Sequence, residues 1–267
     1  MSLEYWLPVA WFAVIGFGVL MYVLLDGFVL GLGILAPFAE DEAQLDHMMN
    51  TAAPIWDGNE TWLVLGGAGL MAAFPKAYAL VLSALYLPVL LMLIALVFRG
   101  VAFEFRFKAR RSKRFWGVAF ALGSLFAAFA QGVILGALVE GMPMQAGKYI
   151  GGAFGWFSPF SMLTGAAVMF GYALLGAGWL ILKTEGPLQK TARMMARPLV
   201  LVVLVFVVGG GYLLTEAHGA FNKFAGGMSM LFSFAIFALE LLVATLQAYI
   251  FTVLTAQYVA SSLAEDN

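Results

Sequence analysis

The sequence contains no cysteine and only two histidines in 267 residues. The absence of cysteine excludes disulfides, thiolate catalysis and iron–sulfur clusters. Haem sites in helix bundles need histidine, methionine or cysteine ligands that project inward, and His47 and His218 lie far apart in polar stretches. We therefore expect the chain to hold no metal ion and to bind no haem by itself.

Charged residues are also scarce. They make up only 11% of the chain, whereas 63% of the residues are hydrophobic. Several apolar runs reach about 20 residues, the length at which an α-helix crosses the hydrocarbon core of a membrane. The composition therefore predicts an all-α, polytopic membrane helix bundle. We expect membrane lipid around it and no nucleic-acid partner, although the net charge of −1 by itself indicates no particular partner.

The apolar runs predict about seven transmembrane helices, with links that carry turn residues and charge. The stretch "APFAEDEAQLDHMMN" is predicted to be an acidic loop, "FPKAY" a tight turn and "EGMPMQAGKYIGG" a glycine-rich loop. The first run follows Glu4 rather than a basic segment, which indicates a retained span and not a signal peptide. The predicted helices cover residues 7–35, 54–74, 78–99, 115–139, 159–182, 198–214 and 231–260.

Glycines recur within these predicted spans and are expected to allow close contact between helices. Those considered are Gly16, Gly18, Gly66, Gly67, Gly171 and Gly176.

Two basic segments predict the orientation in the membrane. One is "RFKARRSKR", and the other contains Lys183, Lys190, Arg193 and Arg197. Two predicted helices separate the segments, so they lie on the same side, and the positive-inside rule makes that side cytoplasmic. Seven spans then place the N-terminus outside and the C-terminus in the cytoplasm.

Five ionisable residues fall near the cytoplasmic ends of the first three predicted spans: Asp26, Asp57, Glu60, Arg99 and Glu104. An acid or arginine deep in a membrane is unfavourable by about 2.5–3.5 kcal/mol, so such groups tend to face a bundle interior or a wet cavity. Four acids against one base leave an excess of carboxyl groups, which suits the uptake and release of protons. The pattern predicts a proton uptake path from the cytoplasm.

Simpler roles for these residues stay open. Asp57 and Glu60 lie in the first turn of a predicted helix, where acids interact favourably with the free N–H groups and the helix dipole. Arg99 could extend its charged end into the neighbouring basic loop. Asp26, with apolar residues on both sides, has no comparably simple explanation.

Four stretches closely resemble subunit II of the cytochrome bd quinol oxidases. They are "LLDGFVLGLGILAPF", "APIWDGNETWLVLGGAGLMAAFPKAYA", "FRGVAFEFR" and "LLGAGWLILKTEGPLQKTARMMARP". The block Trp-Asp-Gly-Asn-Glu-Thr-Trp is highly specific. The resemblance covers residues 1–208.

The resemblance implies a two-subunit core in the bacterial inner membrane that oxidises quinol and reduces oxygen to water. Haems b and d would belong to the partner subunit I, and subunit II would support that partner and line a cytoplasmic proton route. The family's proton-route positions correspond here to Asp26, Asp57, Arg99 and Glu104, the last of which is often Asp. Trp56 corresponds to an aromatic residue near a structural quinone in some members.

The sequence departs from the family pattern at two places. The family commonly reads Asp-Gly-Phe-Asp where this chain has Val29 in fourth position, so one carboxylate of the route is missing or its work falls on Asp26. Residues 209–267 differ more, which predicts a boundary between a subunit II-like domain at 1–208 and a C-terminal segment.

The C-terminal stretch "FALELLVATLQAYIFTVLTAQYVASSLAEDN" resembles the last helix of subunit a of F-type ATP synthases. Glu240 and Gln247 match polar positions of that subunit's proton half-channel. That channel depends on an arginine that faces the rotor, and no arginine follows Arg197. A subunit a-like proton channel and a non-catalytic membrane scaffold are therefore the alternatives to an oxidase subunit, and a fused, chimeric or designed origin stays open.

Overall fold

A computed structural model describes residues 3–217 of the chain, with side chains described for residues 6–212. Seven α-helices and one short hairpin make up this part. The helices are α1 (Leu3–Leu35), α2 (Glu42–Ala52), α3 (Trp56–Ala73), α4 (Pro75–Arg106), α5 (Lys113–Glu140), α6 (Pro159–Lys183) and α7 (Gly186–Ala217). A 3-10 turn (Ala36–Phe38) follows α1, and strands β1 (Met144–Gln145) and β2 (Lys148–Tyr149) pair antiparallel between α5 and α6.

The starts of the helices follow from the local sequence. Proline at the first helical position begins α4 and α6, where its missing N–H costs no hydrogen bond. The Ser158 side chain accepts from the Ser161 backbone N–H at 2.9 Å, and the Ser161 hydroxyl accepts from the Ser158 N–H at 3.0 Å. This reciprocal pair is a capping box that fixes the start of α6.

Within residues 3–217, five helices are long and apolar enough to cross a membrane, namely α1, α4, α5, α6 and α7. Many of their large apolar side chains are exposed, for example Phe12 (73%), Val97 (63%) and Phe115 (59%). A surface of this kind is suited to lipid and not to water. The structure therefore confirms the all-α, polytopic membrane bundle that the sequence predicts.

The helix α3 has 18 residues and begins with the polar turn Trp56–Glu60, so its average hydropathy stays below that of the five spans. Its apolar second half packs against α1, and α4 follows directly after Phe74. Of the predicted tight turn "FPKAY", only Phe74 lies between the helices, because α4 already begins at Pro75.

Two predicted loops are wrong. The acidic stretch after α1 contains helix α2, which Asp41 caps by accepting from the Gln44 N–H at 2.7 Å. Its buried residues Leu45, Met48, Met49 and Ala52 lie at helical spacing, and the acids between them obscure that pattern. His47, on the opposite face of α2, is exposed.

The second basic segment is mostly helical as well, because α7 begins at Gly186 and not near residue 198. Leu188 and Ala192 are buried against the core. The predicted helix at 231–260, Glu240, Gln247 and His218 lie outside the described residues. Residues 204–217 continue α7 and belong to a second compact unit.

The core of residues 3–203 surrounds the second half of α1. Val29, Leu30 and Leu32 are fully buried there, and α1 packs against α3, α5 and α6. The helices α4 and α5 pack along most of their lengths, as do α5 and α6. The second half of α1 is therefore the central element, and it carries Asp26 into the interior.

Helices α1 and α6 cross so closely that no side chain fits between them. A Cβ placed on Gly31 would lie 1.9 Å from the Tyr172 carbonyl oxygen, and one on Gly176 would lie 2.5 Å from the Gly31 carbonyl carbon. Both distances are far below van der Waals contact, so this crossing requires glycine on both helices.

The other glycines singled out from the sequence behave differently from one another. A Cβ on Gly18 or Gly66 would meet a side chain of the facing helix at 3.1 and 3.2 Å, so both support the α1–α3 contact. Nothing lies within 4 Å of such a Cβ on Gly16, Gly67 or Gly171. For these three, the expectation of close helix contact is wrong within the described part of the chain.

We predict that Gly176→Ala destabilises the chain by about 1–3 kcal/mol, because the added methyl group forces α1 and α6 apart. Thermal unfolding in detergent, followed by circular dichroism, measures the effect. Gly171→Ala on the same helix is the matched control, and it should leave the melting temperature unchanged or slightly higher because alanine favours helix. Equal melting temperatures for the two variants would contradict the close crossing.

Candidate functional site

A buried ion pair joins α1 to α4. Asp26 and Arg99 both have side chains that are 0% exposed, and Arg99 Nη2 lies 2.8 Å from each Asp26 carboxylate oxygen. Two charges out of contact with water are stable only when they compensate each other at hydrogen-bonding distance. The pair therefore fixes the rotation of both helices about their axes.

A second carboxylate shares the same guanidinium nitrogen. Glu60, in the second turn of α3, accepts from Arg99 Nη2 at 2.8 Å, and its side chain is 33% exposed. Asp26, Arg99 and Glu60 form a cluster that we call the triad. Two carboxylates against one guanidinium leave one carboxyl group without its own counter-charge, so the triad can accept a proton without losing its ion pair.

Part of the Arg99 guanidinium has no partner in the described residues. Its Nε and Nη1 atoms are buried and make no hydrogen bond there, although buried N–H groups in proteins are nearly always paired. The guanidinium carbon lies 5.7 Å from the centre of the Trp56 ring, which stacks on Phe103 at 5.0 Å. The aromatic pair covers one side of the guanidinium, and the free N–H groups can bind water or an acceptor from another chain.

A chain of hydrogen bonds extends from the triad into the bundle. The Tyr172 hydroxyl on α6 donates to Gln131 Oε1 at 2.7 Å, and Gln131 Nε2 on α5 donates to the Tyr22 hydroxyl at 2.8 Å. Tyr22 lies one helical turn before Asp26 on α1, and its hydroxyl group is close enough to interact with the Asp26 carboxylate. Helices α5 and α6 are thus connected to the triad through polar groups.

Asp57 and Glu104 are not part of the buried cluster. Asp57 is exposed and accepts from the Gly58 N–H at 2.8 Å, yet it is near enough to act electrostatically on Glu60. Glu104 is 60% exposed and pairs with Lys108 at 3.0 Å on the surface of α4. The structure thus brings together three of the five ionisable residues that the sequence singles out.

The acids differ in depth as well as in exposure. With a rise of 1.5 Å per residue, Glu60 lies about 6 Å from the start of α3, and Asp26 about 14 Å from the end of α1. Both of those helix termini are at the end of the bundle where α2 lies. Asp57, Glu60 and Asp26 therefore form a series from exposed through half-buried to fully buried.

A second ionic cluster holds α2 at this end of the bundle. Arg106, the last residue of α4, is 0% exposed and donates to Glu42 Oε2 at 2.6 Å and to Asp46 Oδ1 at 3.1 Å. Lys113, at the start of α5, also pairs with Asp46. This cluster connects three helices, and its arginine, which belongs to the basic segment "RFKARRSKR", is buried.

Sequence reasoning missed Tyr22, Gln131 and Tyr172 as partners of the site. A signal was present for Gln131, because it is a lone amide in the apolar run "LFAAFAQGVILGALV", and a polar residue within a membrane span indicates a buried partner. Tyr22 stands four residues before Asp26, the spacing of neighbours on one helix face. Tyr172 is an ordinary aromatic residue of a membrane span and carried no distinguishing signal.

Within residues 3–217, no group of three or more His, Asp or Glu side chains is placed to hold a metal ion. The fold and the buried triad thus define a multi-pass membrane protein with an ionisable cluster inside the bundle.

Comparisons with known proteins give the family. Residues 7–264 match the family described as cytochrome bd terminal oxidase subunit II. The chain is 36% identical over 202 residues to cytochrome bd ubiquinol oxidase subunit 2 of Bacillus subtilis, covering 74% of this chain and 60% of that protein. It is 32% identical over 218 residues to cytochrome bd-I ubiquinol oxidase subunit 2 of Escherichia coli, covering 78% of this chain and 58% of that protein. The chain belongs to the cytochrome bd terminal oxidase subunit II family.

The chain spans about 60% of the length of these curated relatives. A solved structure, bd oxidase from Geobacillus thermodenitrificans, has the same fold, with a TM-score of 0.67 at 18% identity over 78% of this chain and 66% of that one. A shorter similarity, 34% identity over 90 residues, relates 29% of the chain to ATP synthase subunit a of Parafrankia. The family match extends past residue 209, and the predicted domain boundary there stays a prediction.

We predict that Arg99→Leu destabilises the chain by about 3–5 kcal/mol, because it leaves the buried Asp26 without a counter-charge. Adding Asp26→Asn to Arg99→Leu should recover part of the loss. Lys108→Leu removes a cation from the exposed pair with Glu104 and is the control, with an expected change below about 1 kcal/mol. Unfolding in detergent measures all three, and additive losses in the double variant would contradict the ion pair.

Proposed function

We propose that the chain is the subunit II of a quinol:oxygen oxidoreductase, and that its triad lies on a cytoplasmic proton uptake path for the reduction of oxygen to water. Membership of the family supports the first part. The observation that carries the second is the fully buried Asp26, held by Arg99 together with the half-buried Glu60. A buried acid with a shared counter-charge is suited to taking up protons one at a time.

The order of transfer follows the exposure of the acids. Asp57 and Glu104, at the surface, collect protons from water, and Asp57 stands one helical turn before Glu60. Glu60 passes the proton inward, and Asp26 is the inner acceptor. Arg99 keeps both carboxyl groups within reach of one nitrogen, so a proton moves between them over a short distance.

The end of the bundle that carries α2 is proposed to face the cytoplasm. The basic stretch Arg106–Arg114 and Lys183 lie at this end, and the positive-inside rule places such segments in the cytoplasm. The N-terminus is then outside. The C-terminus follows inside if residues 231–260 form the further span that the sequence predicts.

Haems b and d are proposed to belong to a partner subunit I, with quinol and oxygen as substrates of the assembled complex. The Nε and Nη1 groups of Arg99, which have no hydrogen-bond partner among the described residues, are suited to water molecules that continue the path towards that partner. Trp56 is proposed as a contact for a structural quinone, and its ring is half-buried beside Arg99 and Phe103.

We predict that Asp26→Asn lowers oxygen reduction by the assembled complex by about 100-fold, the usual contribution of a positioned proton-transfer group. Asparagine keeps the shape of aspartate, so haem content should be unchanged. Oxygen consumption with quinol as donor, normalised to the haem spectrum, measures the effect. Glu185→Gln, an exposed acid at the same end of the bundle, is the control and should keep full turnover.

Unchanged turnover in Asp26→Asn would remove the proton-path assignment and favour the non-catalytic scaffold. We expect Glu60→Gln to be intermediate. Asp57→Asn and Glu104→Gln should lower turnover less than Asp26→Asn, because water can replace an exposed carboxylate at the mouth of the path.

A second candidate is a proton-translocating component like ATP synthase subunit a. Only the similarity over 90 residues favours it, and the residues proposed for it, Glu240 and Gln247, come after the last arginine of the chain, Arg197. A rotor-facing arginine is what that function requires. Expression in a strain without subunit a tests it, and we expect no recovery of ATP-driven proton pumping.

A further inference from the structure

The hydrogen-bond chain Tyr172–Gln131–Tyr22 has a direction. Tyr172 donates its only hydroxyl proton to Gln131 Oε1 at 2.7 Å, and Gln131 donates from Nε2 to the Tyr22 oxygen at 2.8 Å. The Tyr22 oxygen already accepts a hydrogen bond, so its own proton is available to Asp26 one helical turn away. All three donors therefore point towards the Asp26 carboxylate.

The charge of Asp26 explains this direction. If the Gln131 amide were turned over, Tyr22 would have to donate to Gln131 Oε1, and the carboxylate would lose a donor in a site from which water is excluded. A hydrogen bond to an ionised acceptor is about twice as strong as one between neutral groups, so the carboxylate selects the arrangement seen. Each donor then strengthens the next by polarisation.

The hydrogen-bond chain Tyr172–Gln131–Tyr22 is unsuited to proton transfer. A relay needs groups that can accept a proton on one side and release one on the other, as water and carboxyl groups do. The amide of Gln131 separates its acceptor oxygen from its donor nitrogen, so no proton crosses it without an unfavourable tautomer. A proton on Asp26 has no exit through Gln131 towards α6.

The fold places these hydrogen-bonded side chains close to Asp26. A Cβ on Gly27 would lie 2.8 Å from the Tyr172 ring, so the glycine after Asp26 lets the ring approach α1. Tyr22 is 4% exposed and Tyr172 5%. Both tyrosine side chains are thus held in the interior, and the Gln131 side chain between them is half-buried.

We propose that Tyr22, Gln131 and Tyr172 are positioning residues that hold Asp26 in its carboxylate form and close the α5–α6 side of the bundle to protons. Protons then exchange with Asp26 only on the side where Glu60 and Arg99 lie. This inference rests on the proposed function, since it concerns the acid that is proposed to accept protons there.

The other charged and titratable groups around Asp26 are few. Helix α3 contributes Glu60, α4 contributes Arg99 and α6 contributes Tyr172, while α1 itself contributes Tyr22. Helix α5 contributes the uncharged Gln131. Among the side chains of residues 6–212, no other donor on the Tyr22 side of the carboxylate therefore compensates for the loss of Tyr22.

Infrared difference spectroscopy on the assembled complex tests the proposal. With isotope-labelled aspartate, the carboxylate band of Asp26 is the one lost in Asp26→Asn, and its frequency reports the hydrogen bonds that the carboxylate accepts. Tyr22→Phe should shift this band most, and Gln131→Met and Tyr172→Phe should shift it by smaller amounts in that order. Tyr86→Phe, the same change at an exposed tyrosine of α4, is the control and should leave the band in place.

Turnover separates positioning from relay. If the hydrogen-bonded residues only position Asp26, Tyr172→Phe, at the end farthest from Asp26, should keep most of the oxygen consumption. If they relay protons, Tyr172→Phe should lose as much turnover as Asp26→Asn. An unshifted Asp26 band in both Tyr22→Phe and Gln131→Met, or a loss of turnover in Tyr172→Phe equal to that in Asp26→Asn, would overturn the proposal. If Tyr22→Phe fails to assemble, Gln131→Met decides alone.

These readouts distinguish the two proposals. Full turnover in Asp26→Asn with a shifted band in Tyr22→Phe would reject the proton path and leave the donor chain in place. Lost turnover in Asp26→Asn with an unshifted Asp26 band in Tyr22→Phe would support the proton path and reject the role of the donor chain.

Discussion

One buried guanidinium holds the interior of this bundle together. The Arg99 side chain is fully buried, and its charge is tolerated there because Asp26 and Glu60 both lie 2.8 Å from one of its nitrogens. Because both acids bind the same nitrogen, α1, α3 and α4 are held in fixed positions relative to one another. It also sets the chemistry, because a cluster with more carboxyl groups than cations can gain a proton and stay paired.

Close helix packing is the condition that lets such a cluster exist away from water. The crossing of α1 and α6 at Gly31 and Gly176 brings backbone against backbone, and it places Tyr172 beside Asp26. A wider crossing would admit water to the carboxylate and weaken each of its interactions, since hydrogen bonds and ion pairs are stronger at low dielectric constant. Glycines at the α1–α6 crossing thus maintain the electrostatics of a site that α1 shares with α3 and α4.

Much of the fold could be predicted from the sequence because membrane spans are long and apolar. Helix α2 escaped prediction because its acids interrupt a short apolar stripe. For the site, Asp26 and Arg99 could be predicted because charge within an apolar run demands a partner. Asp57 and Glu104 share the sequence pattern but lie outside the cluster, since helix rotation is set by packing that sequence spacing does not reveal. The role of Gln131 depends on contacts from two other helices.

All three bonds from Arg99 to carboxylate oxygens come from Nη2 alone. A lysine ammonium group, with its three protons on a single nitrogen, could form the same set. Charge balance within the described residues therefore makes no use of the flat, forked shape that distinguishes arginine from lysine. That shape serves Nε, Nη1 and the face that Trp56 covers, so the features that require an arginine at this position lie beyond the two acids that it neutralises.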